Sequence, residues 1–381
     1  MTIDPKKPAD VARALIACES VTPDDGGALA LLESLLTPLG FAIERPVFTA
    51  EDTPDIENLY ARRGEGEVFL FAGHTDVVPP GDVSKWRHDP FVGAAEAGEL
   101  YGRGAVDMKG AIACMVAAVA RRPDAGPVAF LITGDEEGPA INGTSKLIDW
   151  AVAGGERFSA CLLGEPSNPT ALGDEIKVGR RGSLSGTVTI SGVQGHVAYP
   201  HRADNPVRKL PKALSALMDE ALDDGTNHFQ PSNLEVVSVE SGAGAFNVIP
   251  GEAKLRFNIR YNDRHDANSL RRLIAGRLDG ALGAGGYGLD WEPHTGDAFL
   301  TPPGAFSATV ADAVEAETGR RPALTTTGGT SDARFIKSFC PVVEFGLVGQ
   351  TMHQVDERVS LADLETLTRI YERVLEKATA R

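Results

Sequence analysis

Cysteine is scarce in this chain, and basic residues are outnumbered. Its 381 residues include four cysteines, Cys18, Cys114, Cys161 and Cys340, widely spaced and with no C-x-x-C pair. Reduced, structural thiols in a cytoplasmic protein are the expectation. Lys and Arg number 37 against 53 Asp and Glu, a formal net charge of -16. That balance argues against a nucleic-acid partner, whose binding depends on Lys and Arg releasing condensed counterions. Long apolar runs are also missing: the longest, Ala111 to Ala120, is half what a bilayer demands, so no membrane partner is expected. The N-terminal stretch lacks the apolar core and cleavage pattern of a secretory signal. Neither a G-x-x-x-x-G-K-[ST] phosphate loop nor a G-x-S-x-G nucleophile elbow occurs, and no G-x-G-x-x-G follows a strand. Internal repeats and low-complexity tracts are absent.

What is present centres on Tyr101-Gly-Arg-Gly-Ala-Val-Asp107-Met-Lys-Gly110, which leads into the apolar Ala111–Ala120 stretch. An aspartate in a glycine-rich turn, just before a helix too apolar to be exposed, puts a charge where burial is costly, so it needs partners. Short apolar runs of the kind buried in parallel sheets supply candidates. Val68 to Ala72 leads to His74 and Asp76, Val128 to Ile132 to Asp135-Glu136-Glu137, Ala160 to Leu163 to Glu165, and Val342 to Phe345, after a loop, to His353. Delivery of His, Asp or Glu past the C-terminal ends of strands is how open α/β sheets build ligand sites.

Asp107 therefore reads as a carboxylate bridging two metal ions, with the other residues as further ligands and a base. Two histidines and three carboxylates, with no cysteine, suit Zn or a neighbouring ion such as Co or Mn. Five ligands exceed one open tetrahedral site, and two ions sharing Asp107 accommodate them. His74 and Asp76 lie two residues apart, so alternation puts both side chains on one face, where Asp76 can accept the His74 N–H. Glu136 and Glu137 are adjacent and point apart in an extended chain; one can ligate while the other serves as base.

A length of 381 residues leads to the expectation of two domains. The expected fold is α/β. Strands at Ser183–Ile190, Leu234–Val239, Ala253–Arg260 and Tyr287–Trp291, with helices from Asn205 to about Leu222 and from about Ala267 to Leu282, give the βαββαβ order of a ferredoxin-like unit. Its limits are set at 182–294, an insert between catalytic segments 1–181 and 295–381. Helices near Ala305 to Thr318 and from about Leu361 to Ala378 complete the last segment.

With GHTDVVPPG at Gly73–Gly81, YGRGAVDMKG at Tyr101–Gly110 and GDEEG at Gly134–Gly138, the chain resembles the dinuclear zinc aminoacylase and carboxypeptidase superfamily. GRRGSLSGTVTISGVQGHVAYPH, GAFNVIPGEAKLRFNIRY and TTTGGTSDARF resemble its desuccinylase branch. The resemblance covers nearly the whole chain. It implies a mixed-sheet catalytic domain of zinc-exopeptidase type with an inserted ferredoxin-like α+β dimerisation and lid domain. It implies two divalent ions per subunit, Zn or Co: one held by His74 and Glu165, the other by Glu137 and His353, with Asp107 bridging. Asp76 would orient His74, and Glu136 would be the general base. His196 would reach the reacting carbonyl from the partner subunit of a homodimer joined through the insert. Arg180, Ser183, Tyr199, Asn247, Arg260, Gly329 and Thr330 match substrate-binding positions. The implied reaction on a small-molecule substrate is hydrolysis of the amide of N-succinyl-LL-2,6-diaminopimelate. The alternative is an N-acetylornithine-type deacetylase or general aminoacylase.

Overall fold

Residues 3–242, 244–292 and 296–380 are described by a computed structural model of the chain. Its backbone divides into two compact units.

The first unit takes in Met1–Val178, Thr301–Thr325 and Ser331–Arg381. It is built on an eight-stranded sheet in the order Ala42–Glu44, Leu59–Arg63, Val128–Thr133, Val68–His74, Phe158–Leu163, Val342–Glu344, Glu175–Lys177, Ala323–Thr325. The central strands Val128–Thr133, Val68–His74, Phe158–Leu163 and Val342–Glu344 are parallel, and antiparallel partners flank them, so the sheet is mixed. Val68–His74 and Val128–Thr133 are buried at every position, as strands covered on both faces must be. The outer strands escape hydropathy because they are short and partly exposed.

One helix explains its own composition. Lys109–Arg121 is buried from Lys109 through Ala120 because it packs on Val68–His74 and also against the helices Pro8–Ile16 and Leu361–Ala378. A helix enclosed on all sides has no polar face to keep. Cys114, inside it, donates its thiol to the Leu364 carbonyl, and burial pushes its pKa up to about 12, which makes it an inert core residue. Among the described residues no helix is long and apolar enough to cross a membrane.

The second unit is Gly179–Leu300 with Thr326–Thr330. Its antiparallel sheet runs Asn233–Ser241, Glu252–Tyr261, Gly182–Ser191, Gly288–Trp291. In chain order this is 2-3-1-4, and with helices after the first and third strands it is the ferredoxin-like arrangement. Alternating inward residues Leu255, Phe257 and Ile259 meet Leu270, Ile274 and Leu278, which recur every fourth residue on helix Ala267–Leu282. The Asp266 carboxylate caps that helix by accepting the Ser269 N–H, and Ser269 Oγ returns the contact.

The helix expected from Asn205 to about Leu222 is broken. Asn205 caps a 3-10 turn, Pro206–Arg208, and the α-helix spans only Leu210–Met218. Pro211 has no N–H to donate and its ring crowds the carbonyl four residues back, so it is tolerated only in the first turn of a new helix. The expected insert end at His294 lies outside the described residues. Gly179–Arg180 pairs with Phe299–Leu300, closing the entry and exit of the second unit with a ribbon too short to register in the sequence pattern.

Candidate metal centre

Two glycines let the chain assemble this centre. Gly73 immediately precedes His74, and a Cβ there would meet the Met108 side chain at 2.5 Å. Gly164 immediately precedes Glu165, and a Cβ there would meet Met115 and Met108 at 2.6 and 2.8 Å. Without those Cβ atoms Met108 seats against two neighbouring strand ends. Asp107, one residue earlier, is thereby carried to His74 and Glu165.

Asp107 uses its two oxygens on two different histidines. Oδ1 lies 3.1 Å from His74 Nε2, and Oδ2 lies 3.3 Å from His353 Nε2. His74 Nε2 is also 3.7 Å from Glu165 Oε1, while His353 Nε2 is 2.8 Å from Glu137 Oε1. Donor atoms of His74, Asp107 and Glu137 all fall within 4.8 Å of one another. His74, Asp107 and Glu165 are buried, Glu137 is half-buried, and His353 is exposed with φ at 62°.

The electrostatics of this cluster call for positive charge. Burial by itself would lower the His74 pKa, yet the Asp107 carboxylate raises it well above the usual value. Hydrogen bonds to Asp107 and Glu137 lift His353 to about 10. Asp107 is held low by the two rings against the effect of burial, and burial together with the Glu165 charge pushes Glu136 well up. Carboxylates crowded in a desolvated place are stabilised by a nearby cation. Imidazole and carboxylate donors, one carboxylate facing two ways and no thiolate among them, fit a pair of divalent ions.

Asp76 departs from its expected contact. The His74 Nδ1 partner is the backbone carbonyl of Asp76 at 2.9 Å, with the carboxylate at 3.6 Å. The Asp76 carboxylate instead accepts the backbone N–H groups of Glu136 at 3.2 Å and Glu137 at 2.9 Å. With the ring served by the Asp76 carbonyl, the Asp76 side chain is available to the next loop. Burial pushes the Asp76 carboxyl up to about 6, against the pull of His74 and the two amides. Asp135 is buried and spends its carboxylate on the N–H groups of Ala140, Ile141 and Asn142, shaping the loop that follows Glu136 and Glu137.

The remaining sequence candidates all lie in the second unit. Arg180 is buried and donates to the Thr327 carbonyl at 3.3 Å. A Cβ on Gly328, whose φ is 106°, would meet its guanidinium at 2.2 Å, so glycine is required at 328, a position not singled out in the sequence. Ser183 stands opposite Arg260 across paired strands, and its hydroxyl accepts from Asn258. The half-buried Arg260 has its pKa lowered by burial and by Arg181. His196 is exposed, with Nδ1 accepting the Ala198 N–H at 3.1 Å and its ring 5.8 Å from that of Tyr199. The Asn247 carbonyl accepts the Val197 N–H, and Asn247, Tyr199 and Gly329 are exposed while Thr330 is half-buried.

The profile of peptidase family M20/M25/M40 matches residues 70–377. A succinyl-diaminopimelate desuccinylase of Methylorubrum populi is 60% identical over 380 residues, 98% of this chain and 98% of the relative. One from Beijerinckia indica is 58% identical over 373 residues, 96% and 97% of the two chains. Among solved structures, an M20 family metallo-carboxypeptidase from Sulfolobus solfataricus superposes with a TM-score of 0.78 at 16% identity, covering 98% of this chain and 99% of that one. A dinuclear metal-binding M20 peptidase from Bacillus subtilis does so with a TM-score of 0.67 at 15% identity, covering 98% and 97%. The fold is thus shared with distant metallopeptidases, and the sequence matches relatives over 98% of its length: the chain belongs to peptidase family M20/M25/M40.

Proposed function

We propose that this protein is a metal-dependent amidohydrolase that cleaves the amide of N-succinyl-LL-2,6-diaminopimelate to succinate and LL-2,6-diaminopimelate, a step in diaminopimelate and lysine biosynthesis. The carrying observation is 60% identity across 98% of the chain with relatives that bear the desuccinylase name. The donor set around Asp107 supplies the chemistry that such an activity needs.

His74 and Glu165 would hold one divalent ion and Glu137 and His353 the other, with the Asp107 carboxylate available to both. Zn or a neighbouring ion such as Co suits these donors. When bound, such ions acidify a water toward neutral pH and offset charge on a carbonyl oxygen. Glu136 takes the proton of the attacking water and returns it to the leaving amine. Its backbone N–H is tied to Asp76, which limits where the carboxylate can reach.

The substrate carries three carboxylates, and a protein of net charge -16 needs local cations to receive them. Arg180 and Arg260 serve that role through charge-assisted contacts, with Ser183, Tyr199, Asn247, Gly329 and Thr330 as further substrate-binding residues. His196 acts on the reacting carbonyl from the partner subunit of a homodimer formed through the inserted domain. Free thiols at Cys18, Cys114, Cys161 and Cys340 agree with a cytoplasmic location.

The test is a side-by-side assay of succinyl-diaminopimelate and N-acetylornithine with metal-loaded protein. Preference for the succinylated substrate is expected; preference for acetylornithine would move the protein to the deacetylases.

A further inference from the structure

The geometry points to Glu357 and Arg103 as positioning residues of the metal centre, a buried clamp that holds the segment carrying Asp107 against the segment carrying His353. The inference rests on the metal-centre reading above.

Glu357 is fully buried, and Arg103 is 2% exposed. Glu357 Oε2 pairs with Arg103 Nη1 at 2.5 Å, while Oε1 accepts the backbone N–H of Val106 at 2.9 Å and of Asp107 at 3.3 Å. Arg103 Nη2 donates to the carbonyls of His353 and Pro79, each at 3.4 Å, and its guanidinium lies 5.3 Å from the Trp86 ring centroid. The backbone adds registration. The Gly102 N–H donates to the Glu357 carbonyl at 2.9 Å, and Arg358–Ser360 pairs antiparallel with Glu99–Tyr101, Arg358 opposite Tyr101.

A buried ion pair is a poor device for stability alone, because desolvation offsets the attraction and packed apolar side chains serve as well. It excels at fixing direction, through charge-assisted hydrogen bonds to groups that must not move. Those groups here are the amide of Asp107, whose two oxygens must face opposite ways, and the carbonyl of His353. His353 sits at a positive φ, which a non-glycine residue keeps only when its surroundings impose it. Asp107 and His353 are far apart in sequence and sit on different elements. The clamp sets their separation where strand pairing ends.

The experiment titrates metal-free protein with Zn2+ in competition with a chromophoric chelator, alongside urea unfolding of the metal-free form. For Glu357→Gln, affinity for at least one of the two ions is expected to fall by about 10- to 100-fold, the usual consequence of losing a group that orients ligands. The double variant Arg103→Met with Glu357→Leu is the safeguard for folding. Apolar replacement keeps the metal-free fold stable while leaving the Asp107 amide without its acceptor, so metal affinity should fall there too. Parental affinity in either folded variant, whatever its urea midpoint, would overturn the clamp. A parent protein that binds no metal would instead sink the metal-centre reading on which the clamp rests.

Discussion

The carboxylate of Asp76 accepts the backbone N–H of Glu137 at 2.9 Å. This contact ties the strand end bearing His74 to the loop bearing Glu136, the proposed base, and Glu137, a proposed ligand. Replacing Asp76 with Ala leaves the Glu136 and Glu137 amides without that acceptor, so both the metal and the proton-transfer step should suffer. A loss of about 10- to 100-fold in metal affinity, with a parallel loss in kcat/KM, is expected. Chelator competition and steady-state kinetics check it, and parental values in both would remove Asp76 from the site.

Glu136→Gln keeps the size of the side chain and removes its basicity. The variant should fold, bind metal as the parent does, and lose turnover by at least ~10²-fold, the scale of general-base catalysis. Near-parental kcat would send the search for the base elsewhere.

Arg180→Ala and Arg260→Ala test the carboxylate receptors. Each should cost roughly 1.5 to 3 kcal/mol of binding, about 10- to 150-fold in kcat/KM for the succinylated substrate. Unchanged kinetics in both variants would make these arginines structural.

The inserted domain carries its own pH dependence. Burial would raise the Asp223 pKa, but hydrogen bonds from Ser232, Gly225 and Asn262 outweigh it and hold the folded value at about 2 against 3.8 unperturbed. A depressed carboxyl stabilises the fold above its unfolded pKa and loses that contribution as pH falls through the folded one. The stability difference between parent and Asp223→Ala should therefore be full above pH 3.8 and narrow toward pH 2. Urea midpoints measured across that range provide the check, and a difference independent of pH would show that packing alone is involved.

A shared site through His196 predicts rescue on mixing. An inactive His196→Ala chain combined with an inactive Glu136→Gln chain, under conditions that exchange subunits, forms mixed dimers with one doubly defective site and one intact site. Activity should reappear. Exchange confirmed by labelled subunits, without recovered activity, would end the model.

Local pattern makes much of this protein legible from its sequence. Helices Ala267–Leu282, Ala305–Thr318 and Leu361–Ala378 announce themselves by apolar periodicity, and the Val68, Val128 and Phe158 strands by short apolar runs ending in His, Asp or Glu. Those signals are local because backbone propensity and side-chain period act over a few residues. Pro211 shows the limit even there: a single ring divides what periodicity reads as one helix.

Tertiary packing decided the rest, because it concerns directions of side chains far apart in sequence. Glu137 and His353 meet at 2.8 Å across 216 positions, and nothing in either local stretch says which oxygen of Asp107 will face which ring. His74 turns to the Asp76 carbonyl rather than its carboxylate, a choice between two acceptors on one residue that residue spacing does not encode. Arg103 lay inside the glycine-rich run and Glu357 four residues past His353, yet only the folded chain makes them partners. A buried pair is defined by the space that packing leaves for it, and sequence spacing carries no measure of that space.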